Sequence, residues 1–209
     1  IKKANGEFIC LLNPDVIINE NTFSTLINYL ESNKNVGCVG PKIINVDGTI
    51  QHSCKRSFPT PLNALFRLFY LDKIFPKSKF FGKYNLTYLD IDKIHKVDAI
   101  SGAFMIFNKA IINKVGCLDE DFFMFGEDID FCFRIKNEGY DVVYNPETEI
   151  MHYKGESVKS APYDMVNIFY NAMEIYFKKY SSKYPNWKII NFFVKIGLFV
   201  RKSLSYFRL

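Results

Sequence analysis

The sequence predicts an α/β domain with a basic, apolar helical tail, and three observations carry that reading. Short apolar runs of strand length, at 7–12, 36–41 and 141–144, alternate with stretches at 22–31, 127–138 and 164–180 whose apolar residues recur every three or four positions. Gly or Pro stands at most of the borders between them. Hydrophobic residues make up 48% of the 209, enough to bury a real core and too many for a disordered chain.

The elements follow in order. Glu7 to Leu12 is a nearly continuous apolar run and reads as a buried, parallel strand. Asn13-Pro14-Asp15 ends it, because Pro lacks the N–H that a ladder needs. Asn21 or Thr22 then caps a helix to about Glu31, with Phe23, Leu26, Ile27 and Leu30 on one face. Val36 to Pro41 reads as a second strand, and Lys42 to Gln51 as a hairpin turning at Asp47-Gly48. Residues 53–96 hold Pro59, Pro61 and Pro76 and read as loop and short helix. Lys96 to Asn108 reads as a long strand broken at Ser101-Gly102, and Lys109 to Val115 as a short helix closed by Gly116. Glu127 to Glu138 reads as a helix ending at Gly139. Asp141 to Tyr144 and Ile150 to His152 read as strands, and Asp164 to Tyr180 as an amphipathic helix.

The net charge is +5, and it is unevenly spread. Lys178, Lys179, Lys183, Lys188, Lys195, Arg201, Lys202 and Arg208 stand with no carboxylate among them. That tail suits an anionic membrane surface or a phosphate-bearing substrate. No nucleic-acid motif accompanies it, so nucleic acid is not the expected partner. Lys195 interrupts the apolar stretch after Trp187, leaving it short of a membrane span. It reads as an interfacial amphipathic helix, or as a C-terminal helix packed on the domain. The division expected is therefore 1–180 for the domain and 181–209 for the tail. Five cysteines form no C-x-x-C pair, and Cys10, Cys38 and Cys132 lie in apolar runs, as reduced thiols of a cytoplasmic protein do. The chain starts at Ile1 without Met, within what reads as the end of a helix, and is read as a piece lacking its first portion.

The chemistry concentrates in Phe122 to Arg134, where Glu127, Asp128 and Asp130 sit among Phe122, Phe123, Phe125 and Phe131. Carboxylates beside so much apolar surface are costly to desolvate unless paired, metal-bound or used. Asp130 and Arg134 are four apart on one helical face and suit a structural ion pair. An EF-hand across 119–130 fails, because the alternating oxygen ligands and the Gly at the sixth place are missing. Ser101, Gly102 and Ala103 are small enough for a ligand to approach the backbone. His152 precedes a polar loop containing Lys154 and Ser157, and a neutral imidazole there can complete a metal site.

Leu11-Leu12-Asn13-Pro14-Asp15, Ser101-Gly102-Ala103-Phe104 and Phe123 to Arg134, in that order and followed by His152, resemble family 2 glycosyltransferases, and within them the rhamnosyltransferase-like enzymes of surface polysaccharide assembly. The resemblance covers about residues 4–180. It implies a GT-A-like (Rossmann-like) mixed sheet flanked by helices, N-terminally truncated because the nucleotide-binding strands are missing. It implies inverting, metal-dependent transfer of a hexosyl or deoxyhexosyl unit from a nucleotide-diphosphate sugar to a lipid-linked glycan acceptor, at the cytoplasmic face of the membrane. Asp128 maps onto the catalytic base and Glu127 onto its helper. Asp15 and His152 map onto ligands for Mg²⁺ or Mn²⁺. Asn13, Ser101, Gly102, Ala103, Lys154 and Ser157 map onto substrate-binding positions, the last two touching the diphosphate. Asn13 departs from the family's Asp-x-Asp, so Asp15 is the sole carboxylate of that motif. The alternative is a degenerate domain that binds glycan or a partner without turnover.

Overall fold

A computed structural model describes all residues except 69–70, 154–163, 184–185 and 207–209. Its described strands are β1 (Phe8–Leu12), β2 (Val16–Ile18), β3 (Val36–Ile44), β4 (His95–Val97), β5 (Phe104–Asn108) and β6 (Asp141–His152). They form one mixed sheet in the order β1-β5-β3-β6-β2, with β4 also on β6. β3 and β6 run parallel at its centre, and Cys38, Val39, Ile43, Val142, Val143, Tyr144 and Ile150 are almost wholly buried there. Burial on both faces is why these strands read as continuous apolar runs rather than alternating ones. β4 pairs with residues 142–144 and β2 with residues 150–152, so two short antiparallel strands share the outer edge of β6.

Helices cover both faces, and β5 shows why. Phe104 and Phe107 are three apart, so their side chains point to opposite faces of the sheet. Phe104 meets Phe23 of α1 (Thr22–Ser32) at 5.7 Å between ring centres. Phe107 meets Phe131 of α5 (Glu127–Asn137) at 5.0 Å. The connecting region holds α2 (Pro61–Leu68) and α3 (Leu71–Ile74), and α4 (Ile112–Val115) follows β5. Beyond the sheet, α6 (Met165–Tyr180) packs on α5, with Tyr180 on Phe133 at 4.0 Å. A buried charge cluster fastens these two helices. Asp130 accepts from Arg134 Nε at 2.8 Å, Lys179 Nζ at 2.6 Å and the Tyr180 hydroxyl at 2.5 Å. The expected Asp130–Arg134 bridge is thus present and larger than a pair. The C-terminal stretch forms α7 (Trp187–Tyr206), which lies along α6 and touches α2.

Several expectations change. β1 runs in the same sense as β3 and β6, but its ladder is antiparallel, to β5. An apolar run encodes burial and carries no information on the direction of its neighbour. The expected strand from Lys96 to Asn108 is two strands, β4 on β6 and β5 between β1 and β3, with 98–103 as the turn joining them. Residues 42–44 continue β3 along β6 instead of forming a full hairpin. The Asp47-Gly48 turn survives, with Gly48 at φ +80° and one bridge from Ile44 to Ile50. The two segments at 141–144 and 150–152 are one strand of 12 residues.

Candidate active site

β1, β3 and β6 run in one sense and β5 in the other, so three C-terminal strand ends and one N-terminal strand end meet at one side of the sheet. Open α/β sheets bind ligands at such carboxyl ends. A cleft of about 980 Å³ opens there. Its walls include Asn13, Asp15, Ser101, Gly102, Ala103, Glu127, Asp128 and His152, every expected site residue that the structure describes. Lys154 and Ser157 lie outside the described residues.

Local geometry explains the convergence. Asn13 N–H donates to the Ala103 carbonyl at 3.0 Å, carrying the β1–β5 pairing one step further before Pro14 ends it. Asp15 then leads into β2, whose Val16 stands opposite His152 of β6. This register brings His152 Nε2 to 3.2 Å from Asp15 Oδ1. On the other side, Gly126 adopts φ +91°, a left-handed conformation open to Gly at little cost. The chain turns there and enters α5, so Glu127 and Asp128 occupy the first helical turn, where the helix dipole favours acids.

The two acids differ sharply. Asp128 Oδ2 accepts from Arg56 Nη2 at 2.7 Å and from Gly102 N–H at 3.0 Å, and Oδ1 accepts from Ile129 N–H at 2.7 Å. The Asp128 and Arg56 side chains are each 12% exposed, making this a largely buried, hydrogen-bonded ion pair. Gly102 has to be small for it. A Cβ there would stand 3.3 Å from Asp128 Cβ and 3.3 Å from Glu127 Oε1. Gly102 therefore admits the close approach of α5, from a turn between strands, where the approach of a ligand was expected. Burial, and then the neighbouring Asp128 charge, push the Glu127 carboxyl up to about 8. Its Oε2 has no hydrogen-bond partner among the described residues.

Arg56 and Gln51 were not singled out by the sequence reading. Arg56 is held by backbone pairing with Ala99 and by Nη2 donating to the Ile100 carbonyl at 3.1 Å. Gln51 is buried and contacts His152. Nothing in the local pattern of 45–60 marks either residue. A basic side chain within reach of an acidic cluster was the available signal, and only folding shows which one arrives. The far wall of the cleft is apolar, with Phe125 edge-on to Phe169 at 5.6 Å and Met173 and Tyr176 of α6 beside it.

Among the described residues, no three His, Cys, Asp or Glu side chains are grouped to hold a metal. A pair does fit the need of a cation delivered with a diphosphate, which takes one or two protein ligands and fills the rest from phosphate and water. Asp15 and His152 form such a pair on the cleft wall.

A mixed α/β sheet with acids and a carboxylate–imidazole pair across one cleft is the arrangement of a ligand-binding or catalytic α/β domain. The chain belongs to glycosyltransferase-like family 2, whose profile matches residues 1–165. It is 29% identical over 142 residues to the low-salt glycan biosynthesis hexosyltransferase Agl10 of Haloferax volcanii, covering 68% of this chain and 41% of that one. It is 26% identical over 156 residues to the N-acetylglucosaminyl-diphospho-decaprenol L-rhamnosyltransferase of Mycobacterium tuberculosis, covering 75% of this chain and 50% of that one. It is 26% identical over 155 residues to rhamnosyltransferase WbbL of Escherichia coli, covering 73% and 54%. The chain thus spans about half the length of these relatives. Among solved structures, GalNAc-T7 with UDP, GalNAc and Mn²⁺ superposes with a TM-score of 0.48 at 15% identity, over 82% of this chain and 32% of that one.

Proposed function

We propose that this domain carries the catalytic acids of an inverting glycosyltransferase of cell-surface glycan assembly, acting on a nucleotide-diphosphate sugar and a lipid-linked glycan acceptor. The observation that carries the reading is the convergence, in one cleft, of Asp15 with His152 on one side and Asp128 with Glu127 on the other. These are the two sites that such a transfer requires: one for the departing diphosphate and one for the attacking hydroxyl.

Asp128 is the base. The acceptor oxygen attacks the anomeric carbon from the face opposite the diphosphate, and its proton passes to the Asp128 carboxylate. The bond from the anomeric carbon to the phosphate oxygen breaks, and its electron pair leaves with the nucleotide diphosphate. Arg56 and the Gly102 amide orient the carboxylate through Oδ2, leaving Oδ1 with one backbone donor. Glu127, which retains its proton to about pH 8, presents a neutral O–H to a sugar hydroxyl at neutral pH. Asp15 and His152 are the residues that would hold a divalent cation such as Mn²⁺ or Mg²⁺, which would supply charge stabilisation for the departing diphosphate. Asn13, Ser101 and Ala103 border the sugar pocket, and Lys154 and Ser157, outside the described residues, are assigned to the phosphates from the sequence alone.

The second reading is a non-catalytic glycan-binding domain. The Arg56–Asp128 pair favours it, because a carboxylate already holding three donors also suits a structural role. A donor screen on the full-length protein with Mn²⁺ separates the two. Asp128→Asn is expected to lower the transfer rate about 10²- to 10⁴-fold per folded molecule, and also to lower the melting temperature, because Arg56 loses its counter-charge. An unchanged rate would remove Asp128 as base, and absence of turnover with any donor in wild type would leave the binding reading.

The exposed apolar residues of α7, with Lys188, Lys195 and Lys202 beside them, support docking at an anionic membrane surface on the cytoplasmic side, where lipid-linked acceptors are presented. Among the described residues no helix is long and apolar enough to cross a membrane.

A further inference from the structure

We propose that Gln51 is a positioning residue that fixes the tautomer of His152, turning the bare Nε2 of the ring toward Asp15 as one half of the cation site. The inference rests on the proposed role of Asp15 and His152 as cation ligands.

The geometry leaves little freedom. Gln51 Nε2 donates to the His152 carbonyl at 2.8 Å, and Gln51 Oε1 lies 3.0 Å from His152 Nδ1. A backbone carbonyl only accepts, so the amide nitrogen must face it and the amide oxygen must face the ring. That oxygen also only accepts, so Nδ1 carries a hydrogen. A neutral ring protonated at Nδ1 has a lone pair at Nε2, the atom 3.2 Å from Asp15 Oδ1. Two lone-pair atoms held that close suit a shared cation. Gln51 is itself anchored, with its N–H donating to the Ile43 carbonyl at 2.8 Å at the end of β3. The residue is 3% exposed, so water competes poorly for either bond. Ligating imidazoles are commonly oriented in this way by an acceptor on the other ring nitrogen.

The test uses ¹⁵N-histidine-labelled, metal-free protein at pH 8. The chain has three histidines, so a His152→Gln spectrum assigns the resonance. Wild type is expected to show His152 protonated at Nδ1, and Gln51→Leu to shift the ring toward the Nε2–H form. Binding of Mn²⁺ alone, followed by paramagnetic resonance, is expected to weaken ~10- to 100-fold in Gln51→Leu. Gln51→Glu keeps an acceptor for the ring, though not a donor for the carbonyl, and is expected to retain the hydrogen at Nδ1. A purely structural tether would lower the melting temperature in Gln51→Leu without moving the tautomer or the Mn²⁺ affinity. An Nε2–H ring in wild type, or unchanged Mn²⁺ affinity in Gln51→Leu, overturns the inference alone. A wild-type protein that binds no Mn²⁺ overturns it together with the cation site.

Discussion

Glu127 and Asp128 are neighbours in sequence, yet the fold gives them opposite surroundings. Asp128 receives a guanidinium and two amides, whereas Glu127 has apolar burial and a like charge beside it. A consequence for stability follows. With the folded Glu127 value at about 8, well above the usual carboxylate range, the folded protein keeps a proton that the unfolded chain has already lost from about pH 4.5 upward. Stability therefore falls as pH rises through this window and levels off above pH 8. Glu127→Gln removes the effect. It is expected to match wild type near pH 4 and to exceed it by about 1–3 kcal/mol at pH 9 in denaturant titrations. An equal difference at both pH values would contradict the assigned environment. At this scale the sequence was legible where chemistry is written into a short motif. Asp15, Asp128 and Ser101-Gly102-Ala103, singled out from short motifs, all line the one cleft. Arg56 and Gln51 were not singled out, because they meet their partners across 72 and 101 residues.

Among the elements, α5 and α6 behave as a unit. The Asp130 cluster holds α6 against α5, and α6 in turn supplies the apolar wall of the cleft through Phe169, Met173 and Tyr176. The acid closest in sequence to Glu127 and Asp128 thus shapes the cleft indirectly. α7 has a different character. Ile189, Phe192, Phe193, Ile196, Phe199 and Val200 lie on one helical face, and each is at least 43% exposed. In vesicle co-sedimentation, the protein is expected to bind phosphatidylglycerol-rich vesicles over phosphatidylcholine ones. Phe193→Asp with Phe199→Asp should reduce that binding at least tenfold, and 0.5 M salt should weaken it, since screening removes the lysine contribution. Retained binding in the double variant would place the contact elsewhere. Helices with strong periodicity were correctly read from sequence. Strand pairing was not: the run at 96–108 splits because its two halves serve different neighbours, a choice that no local pattern encodes.

Over the whole molecule, the cleft joins the ends of β1, β3, β5 and β6 with the start of α5, so ligand binding should couple to global stability. A nucleoside diphosphate with Mn²⁺ at 100 times its dissociation constant is expected to stabilise the fold by about 2.7 kcal/mol, raising the melting temperature, and EDTA should abolish the gain. A rise of equal size without metal would argue against Asp15 and His152 as cation ligands. Membership of the family, the α/β class and the order of the acidic motifs were all readable from the chain, because turn residues, apolar periodicity and short motifs are local properties. Which acid is paired and which is left protonated, which arginine and glutamine complete the site, and how β6 seats His152 beside Asp15 were decided only by tertiary structure. These depend on register, burial and charge proximity between distant segments, and such quantities exist only once the chain has folded.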